Sequence, residues 1–435
     1  MSGQVDGPGK EMAMGGEGAQ LVHEGLRLLS VALTAGIVLG WASNRLRIPD
    51  IVLYLVGGML LGPSVFGWLA VPANSAINQF ILTFGAAVIL FDGGLATKLK
   101  ILQRVWLTVA LLVTAGVLVT ALAVAGTVSA LMGVSFVSAL LVGSVIASTD
   151  PAALIPIFRK VKIKPQLAQT VVSESAFNDA VGAMLVSVVV GVAAGGAFSI
   201  GGAVGGFLRL AGLGLVVGAV LGLLAAVLLG QRSRHVVRDY EAVTAIALVV
   251  SAYVLSEAVG GSGFMAVFTA GLMVGNAPIF GMRFEKTGWR RLELFVEHLG
   301  LKMRMLIFLL LGSQVDLGQV LQYGWRAWAV IAVFILVGRP LAVLVSALPD
   351  RRAGWRNNEV VFLMWTRETG VIPAALAGMI AGQGLPEAPL VSAVTFLAIL
   401  VTLLIQATST PWAAKRLGVL VRPEETRPSR GGRRG

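Results

Sequence analysis

At 435 residues, 56% hydrophobic and only 13% charged, with 54 glycines and a mean hydropathy of +0.85, the chain excludes a water-soluble globular domain and reads as a polytopic helical membrane protein. It has no cysteine, which excludes disulfides, thiolate metal sites and cysteine nucleophiles. A formal charge of +12 would suit a nucleic-acid partner, but the basic residues lie between apolar spans rather than in one patch, so no nucleic acid is expected.

Residues 1–20 form a Gly-rich polar stretch, expected to be a flexible extracellular tail. The apolar span at about 21–43 is too long for a signal-peptide core and has no cleavage pattern, so it reads as a helix. Further spans follow at about 50–66, 77–97, 103–131, 135–158, 166–194, 202–230, 240–259, 262–280, 295–314, 324–348, 358–382 and 388–414, giving thirteen in all. Residues 21–418 are expected to form one transmembrane domain, and 419–435 a basic cytoplasmic tail.

The basic residues test this division. Odd-numbered connections carry Arg45 and Arg47; Lys98, Lys100 and Arg104; Arg159, Lys160, Lys162 and Lys164; Arg232, Arg234 and Arg238; Arg283, Lys286, Arg290 and Arg291; Arg351, Arg352 and Arg356. With the seven in the C-terminal segment these make 26 of the 34 Lys and Arg, and the even-numbered connections carry none. The positive-inside rule then puts the N-terminus outside and the C-terminus in the cytoplasm, in the plasma membrane of a prokaryote. The C-terminal arginines would rest on anionic lipid.

Ionisable groups at membrane depth mark the functional centre, because lipid makes them costly. Thr149, Asp150 and Pro151 interrupt the fifth span, and Glu174, Ser175, Asn178 and Asp179 fall inside the sixth. On a helix the i, i+4 pairs Ser175/Asp179 and Glu174/Asn178 make two adjacent polar stripes. Pro151 cannot donate a backbone hydrogen bond and biases Asp150 away from helical geometry, so the fifth span is expected to break and free carbonyl oxygens. Carbonyls, a hydroxyl and two carboxylates suit a hard monovalent cation.

A weak internal repeat points to a transporter. LVGGMLLGP at 55–63 recurs approximately as FTAGLMVGN at 268–276, and Pro151-Ala152-Ala153-Leu154 recurs as Pro373-Ala374-Ala375-Leu376. The matched spans enter the membrane in opposite directions, so the halves are inverted, and two interrupted helices in inverted halves indicate a midplane site. In the twelfth span Arg367 and Glu368 precede the Gly370–Pro373 break. Glu174 is the best partner for Arg367, in a structural role that leaves Asp179 unneutralised; the alternative is an arginine snorkelling to the interface.

Other polar residues receive blander readings. Glu257 and Arg339 suit an interhelical hydrogen bond or an interface position better than gating, and Arg27 and Arg209 suit snorkelling. Gly201, Gly202, Gly205 and Gly206 suit close helix packing, and residues 284–302 an interfacial amphipathic helix. His23, His235 and His298 fall near helix ends and suit surface positions.

Taken together, VIASTDPAAL, ESAFNDAVG, ILFDGGL at 89–95 and WTRETGVIP resemble the NhaP-type monovalent cation:proton antiporters, over residues 20–418. The resemblance implies an NhaA/NhaP-like all-α fold of thirteen helices, with a six-helix core carrying two crossed discontinuous helices, a dimerisation domain and a homodimer. It implies that Asp179 alternately binds cation and proton, that Asn178 is its neutral neighbour, and that Asp150, Ser175 and the Thr149 backbone are further ligands. Asp92 matches an acidic residue of the third helix, and Glu174 and Arg367 match the structural ion pair. Asn followed by Asp is similar to the electroneutral branch exchanging one cation for one proton. Two departures stand out. Glu368 and Thr369 intervene where the family's motif has glycine directly after the arginine, and the chain stops soon after the last helix, so the cytosolic domains of many relatives are expected to be absent.

The expected function is therefore secondary exchange of Na⁺ or K⁺ for H⁺ by alternating access, with no cofactor and no enzymatic activity. A cation channel or uniporter would need a continuous pore, commonly ringed by symmetric subunits, where this chain has inverted halves. An intramembrane aspartyl protease would need Asp150 and Asp179 to share a proton near water, and neither TDP nor NDA carries the flanking glycine such enzymes use.

Overall fold

In the computed structural model, residues 8–46, 50–150, 154–193, 200–230 and 240–421 are described. Pro151, His235, residues 1–7, the loop arginines at 47, 232, 234 and 238, and the arginines after Val421 lie outside them.

The chain is helical from end to end: α1 (Pro8–Leu46), α2 (Asp50–Leu61), α3 (Ala76–Ala96), α4 (Leu99–Leu111), α5 (Val117–Met132), α6 (Phe136–Ile146), α7 (Leu154–Val161), α8 (Pro165–Ala193) and α9 (Ile200–Leu229). There follow α10 (Glu241–Ala258), α11 (Gly263–Gly275), α12 (Lys286–Ser313), α13 (Leu317–Val333), α14 (Arg339–Ala347), α15 (Asn357–Trp365), α16 (Val371–Gly382), α17 (Ala388–Val401) and α18 (Thr408–Arg416). Among the described residues eight helices are long and apolar enough to cross a bilayer, and α2, α6, α11 and Val371–Ala381 are shorter apolar helices. Helix occupies each of the thirteen predicted spans, with two differences at the ends. α1 starts at Pro8, inside the expected tail, because proline suits a first helical position and Met, Ala, Glu and Gln follow it. α12 starts at Lys286, so the expected interfacial helix is continuous with the tenth span.

Three helices that enter from connections lacking basic residues begin at serine caps. Ser75, Ser135 and Ser262 accept the N–H of Asn78, Ser138 and Met265. Wide π turns join α4 to α5 at Leu112–Gly116, α13 to α14 at Phe334–Gly338 and α17 to α18 at Thr402–Ala407. The second lets Pro340 sit inside a continuous span, since a widened turn frees the carbonyl that the ring would otherwise meet. Arg339 is thereby carried to membrane depth, where it is 1% exposed.

Two groups of helices each surround a buried apolar cluster. α5, α6, α8, α13, α16 and α17 enclose Val142, Val145, Phe334, Ala377 and Leu397, while α3, α9, α10, α11 and α12 pack around Phe91, Ala252, Val267 and Val296. The second group depends on helix backbones in near contact. A Cβ on Gly271 would lie 2.5 Å from the Phe91 carbonyl, and one on Gly218 would strike the Ala266 carbonyl. Gly214, Gly218 and Gly222 form this seam between α9 and α11, whereas Gly205 and Gly206, expected to serve it, have open space around them. Gly271→Ala should destabilise by about 1–3 kcal/mol, because it must push two backbones apart. A thermal-shift measurement in detergent should show a clear fall in Tm, and Gly205→Ala should leave Tm unchanged.

At the face carrying the basic connections, Ile163 and Leu420 form an isolated antiparallel bridge. Lys164 N–H donates to the Val419 carbonyl at 3.1 Å and Val421 N–H to the Lys162 carbonyl at 3.0 Å. Asn358 Nδ2 donates to the Leu417 carbonyl at 2.7 Å. The segment after α18 is thus tied to the connection between α7 and α8.

Candidate functional site

The site is built where two interrupted helices meet one continuous helix. α6 stops at Ile146 and α7 resumes at Leu154; α15 stops at Trp365 and α16 resumes at Val371. The two gaps cross: Asp150 N–H donates to the Glu368 carbonyl at 3.0 Å, and Asp150 Oδ2 accepts the Val371 N–H at 2.8 Å. The Asp150 carboxylate therefore caps the N-terminus of α16, where the helix dipole favours a negative charge. Gly370 permits this approach, since a Cβ there would occupy the space of the Asp150 side chain.

The C-terminal ends of the two half-helices are held by arginines. Arg367 Nη2 donates to the carbonyls of Ala147 at 2.5 Å and Ile146 at 3.3 Å, and Nη1 to Thr120 Oγ1 at 3.3 Å. Its guanidinium lies 4.5 Å from the centre of the Phe334 ring. Arg339 Nε donates to the Leu363 carbonyl at 3.0 Å and Nη2 to the Thr366 carbonyl at 3.2 Å, at the end of α15. Arg339 also makes a bidentate ion pair with Glu174, through Nη1 to Oε1 and through Nη2 to Oε2 at 3.0 Å. The expected pairing of Glu174 with Arg367 is corrected accordingly: Glu174 is bound by Arg339, and Arg367 satisfies the orphan carbonyls at the break of α6.

α8 runs unbroken past Glu174, Ser175, Asn178 and Asp179, all buried. Its polar stripe faces the end of α6. Ser148 Oγ donates to Asp179 Oδ1 at 2.5 Å, and Asn178 Nδ2 donates to Thr149 Oγ1 at 2.6 Å. Thr149 N–H donates to Asn178 Oδ1 at 3.3 Å, and the hydroxyls of Thr149 and Ser175 lie 2.9 Å apart. Thr149, Ser175, Asn178 and Asp179 are thus brought together, with oxygen donors of the kind a hard monovalent cation takes. Asp150 joins them at the crossing with its Oδ2 on α16. Asp92, also buried, lies on α3 about 13 Å beyond Thr83 by helix rise and outside the Asp179 cavity lining. No group of three or more His, Cys, Asp or Glu side chains poised for a metal occurs among the described residues.

A cavity of about 520 Å³ reaches Asp179, walled by Ala183 of α8, Leu82 of α3, Tyr253 and Glu257 of α10, and Ile372 and Ala375 of α16. Asn74 and Ser262, in the connections before α3 and α11, also line it, as does Met379 late in α16. The cavity therefore faces the side whose connections carry no lysine or arginine.

Sequence reasoning missed Ser148, Thr120, the pairing of Arg339 and the cavity wall. Ser148 stands beside Thr149 in the broken segment and so carried a readable signal; Arg339 stands well inside its span, which argued against an interface position.

Residues 29–416 match the family model described as sodium/hydrogen exchanger, transmembrane. The chain is 30% identical over 405 residues to the K(+)/H(+) antiporter NhaP of Alkalimonas amylolytica, spanning 92% of this chain and 68% of that protein. It is 29% identical over 360 residues to Na(+)/H(+) antiporter 1 of Methanocaldococcus jannaschii, covering 80% of this chain and 81% of the relative. The structure of the sodium proton antiporter MjNhaP1 from the same organism at pH 8 superposes with a TM-score of 0.73 at 27% identity, covering 91% of this chain and 99% of that one.

Proposed function

Since the chain belongs to the sodium/hydrogen exchanger family and is a membrane transporter rather than an enzyme, we propose that it exchanges one Na⁺ or K⁺ for one H⁺ through the single carboxylate Asp179. The observation that carries this is a buried carboxylate on a continuous helix, set against the hydroxyls of a broken one and lining a cavity that faces one side. Ser175, Thr149 and Ser148 supply neutral oxygens, Asn178 holds Thr149 in place, and Asp150, whose carboxylate closes the crossing, is a further ligand.

A bare carboxylate is too costly to carry through the hydrophobic barrier, so the core crosses only with a cation or a proton bound. That is alternating access around a midplane site, in a chain of thirteen crossings with the N-terminus outside and the C-terminus in the cytoplasm of a prokaryotic plasma membrane. Asp92 lies off this path as a supporting acid. A homodimer is the expected assembly, checked by mass photometry in detergent.

Proton and cation compete for one group, so lowering the pH should raise the apparent KM for the cation, and the pH profile should be bell-shaped. With Asn178 neutral, no net charge moves in a cycle. Proteoliposomes with fixed cation gradients should show proton flux reversing where the cation and proton ratios are equal, at every clamped voltage. A reversal point that moves with voltage excludes one-for-one exchange. Comparing Na⁺, K⁺ and Li⁺ in the same assay assigns the cation.

A further inference from the structure

We propose that Glu257 forms a second cation-binding site, a staging position at the exposed side of the Asp179 cavity where a partly hydrated monovalent cation is held before it reaches Asp179. Among the described residues, Glu257 and Asp179 are the acidic ones that line the cavity, and no lysine or arginine lines it. The other polar residues described in its lining are neutral: Asn74, Gln79, Thr83, Tyr253 and Ser262. A low-dielectric cleft bearing one sign of charge raises the local concentration of the opposite ion.

The carboxylate is held in place. Glu257 Oε1 accepts the N–H of Gly263 at 2.8 Å, at the first turn of α11, and Tyr253, one turn earlier on α10, is fixed by an edge-on contact with Phe264, ring centres 5.1 Å apart. Arg209 on the neighbouring helix packs against Gly260, and among the described residues it makes no ion pair with Glu257. Glu257 is exposed whereas Asp179 is 3% exposed, so an ion at the first keeps most of its water and gives it up stepwise on moving to the hydroxyls around the second. An interhelical hydrogen bond alone requires only one oxygen and no charge.

This site rests on Asp179 being the shared carboxylate. Glu257→Gln separates the two roles, because the amide oxygen still accepts the Gly263 N–H while the charge is gone. With Na⁺, and K⁺ in parallel, the apparent KM should rise about three- to tenfold when cation is supplied at the face carrying Asn74 and Ser262, with kcat unchanged. KM at the opposite face should stay at the parental value, and the difference should fade in ~0.5 M choline chloride as charge is screened. Because the chain has no cysteine, Gln383→Cys with an impermeant maleimide reports which face is outward in the vesicles. An unchanged KM, an equal rise at both faces, or a rise indifferent to salt overturns the staging site. Glu257→Asp, which keeps the charge, should stay near the parental KM, and a loss as large as that of Glu257→Gln also overturns it. Asp179→Asn is run alongside: continued exchange there removes the Asp179 premise, whereas the Glu257→Gln comparison is read on the intact Asp179 background.

Discussion

Asp179→Asn should abolish cation-driven proton flux, to the level of empty liposomes, while Tm stays within a few degrees of the parent. The amide matches the carboxylate in size, and its oxygen still accepts the Ser148 hydroxyl that lies 2.5 Å from Oδ1. Folding therefore keeps its hydrogen bond. What is lost is the charge whose neutralisation permits the core to move: the neutral amide has nothing for a cation to neutralise and nothing for a proton to titrate. Asp150→Asn should behave differently. Its Oδ2 caps the Val371 N–H, a role that an asparagine oxygen can fill, so part of the flux should survive together with most of the stability. Sustained flux in Asp179→Asn would move the chemistry to Asp150 or Asp92.

Arg339→Ala and Glu174→Ala should each cost about 3–5 kcal/mol, because either leaves an uncompensated charge in a dry site. Arg339→Ala is expected to be the worse, since it also strands the carbonyls of Leu363 and Thr366. The double replacement should be no more damaging than Arg339→Ala alone. A thermal-denaturation cycle checks this, and a second cycle between Glu174 and Arg367 should couple less. Additive losses for Glu174 and Arg339 would show that the bidentate pair contributes nothing.

These pairings show how far the sequence is legible. The second break was readable because Gly370 and Pro373 act locally, and the α8 stripe because i, i+4 spacing on an unbroken helix needs no tertiary knowledge. Choosing between Arg339 and Arg367 for Glu174 was not a local question. The π turn at Phe334–Gly338 advances the phase of everything after it, and Pro340 gave Arg339 the look of a helix end. The wall of the Asp179 cavity was hidden for a related reason. Asn74, Tyr253, Glu257 and Met379 lie on four separate elements, and nothing in their spacing brings them together. Glycine seams were misplaced because abundance along α9 says nothing about which face meets α11.

The bridge between Ile163 and Leu420 has a genetic reading. Both hydrogen bonds around it are made by main-chain atoms, so they ask nothing of the side chains at 417, 420 and 421, while Gly418 is fixed by its left-handed φ of 64° and Val419 by burial. Proline at 164 or 421 is the exception, because it removes a donor. Length is under tighter constraint. One residue inserted between Arg416 and Val419 would turn every following side chain to the opposite side of the bridge, taking Val419, 0% exposed, out of the core beside Phe158 and Leu167. Outside Gly418 and Val419, the stretch leaving α18 is thus expected to drift in composition and hardly at all in residue count, so that in-frame insertions, more than missense changes at 417, 420 and 421, would disturb the loop from which α8 starts.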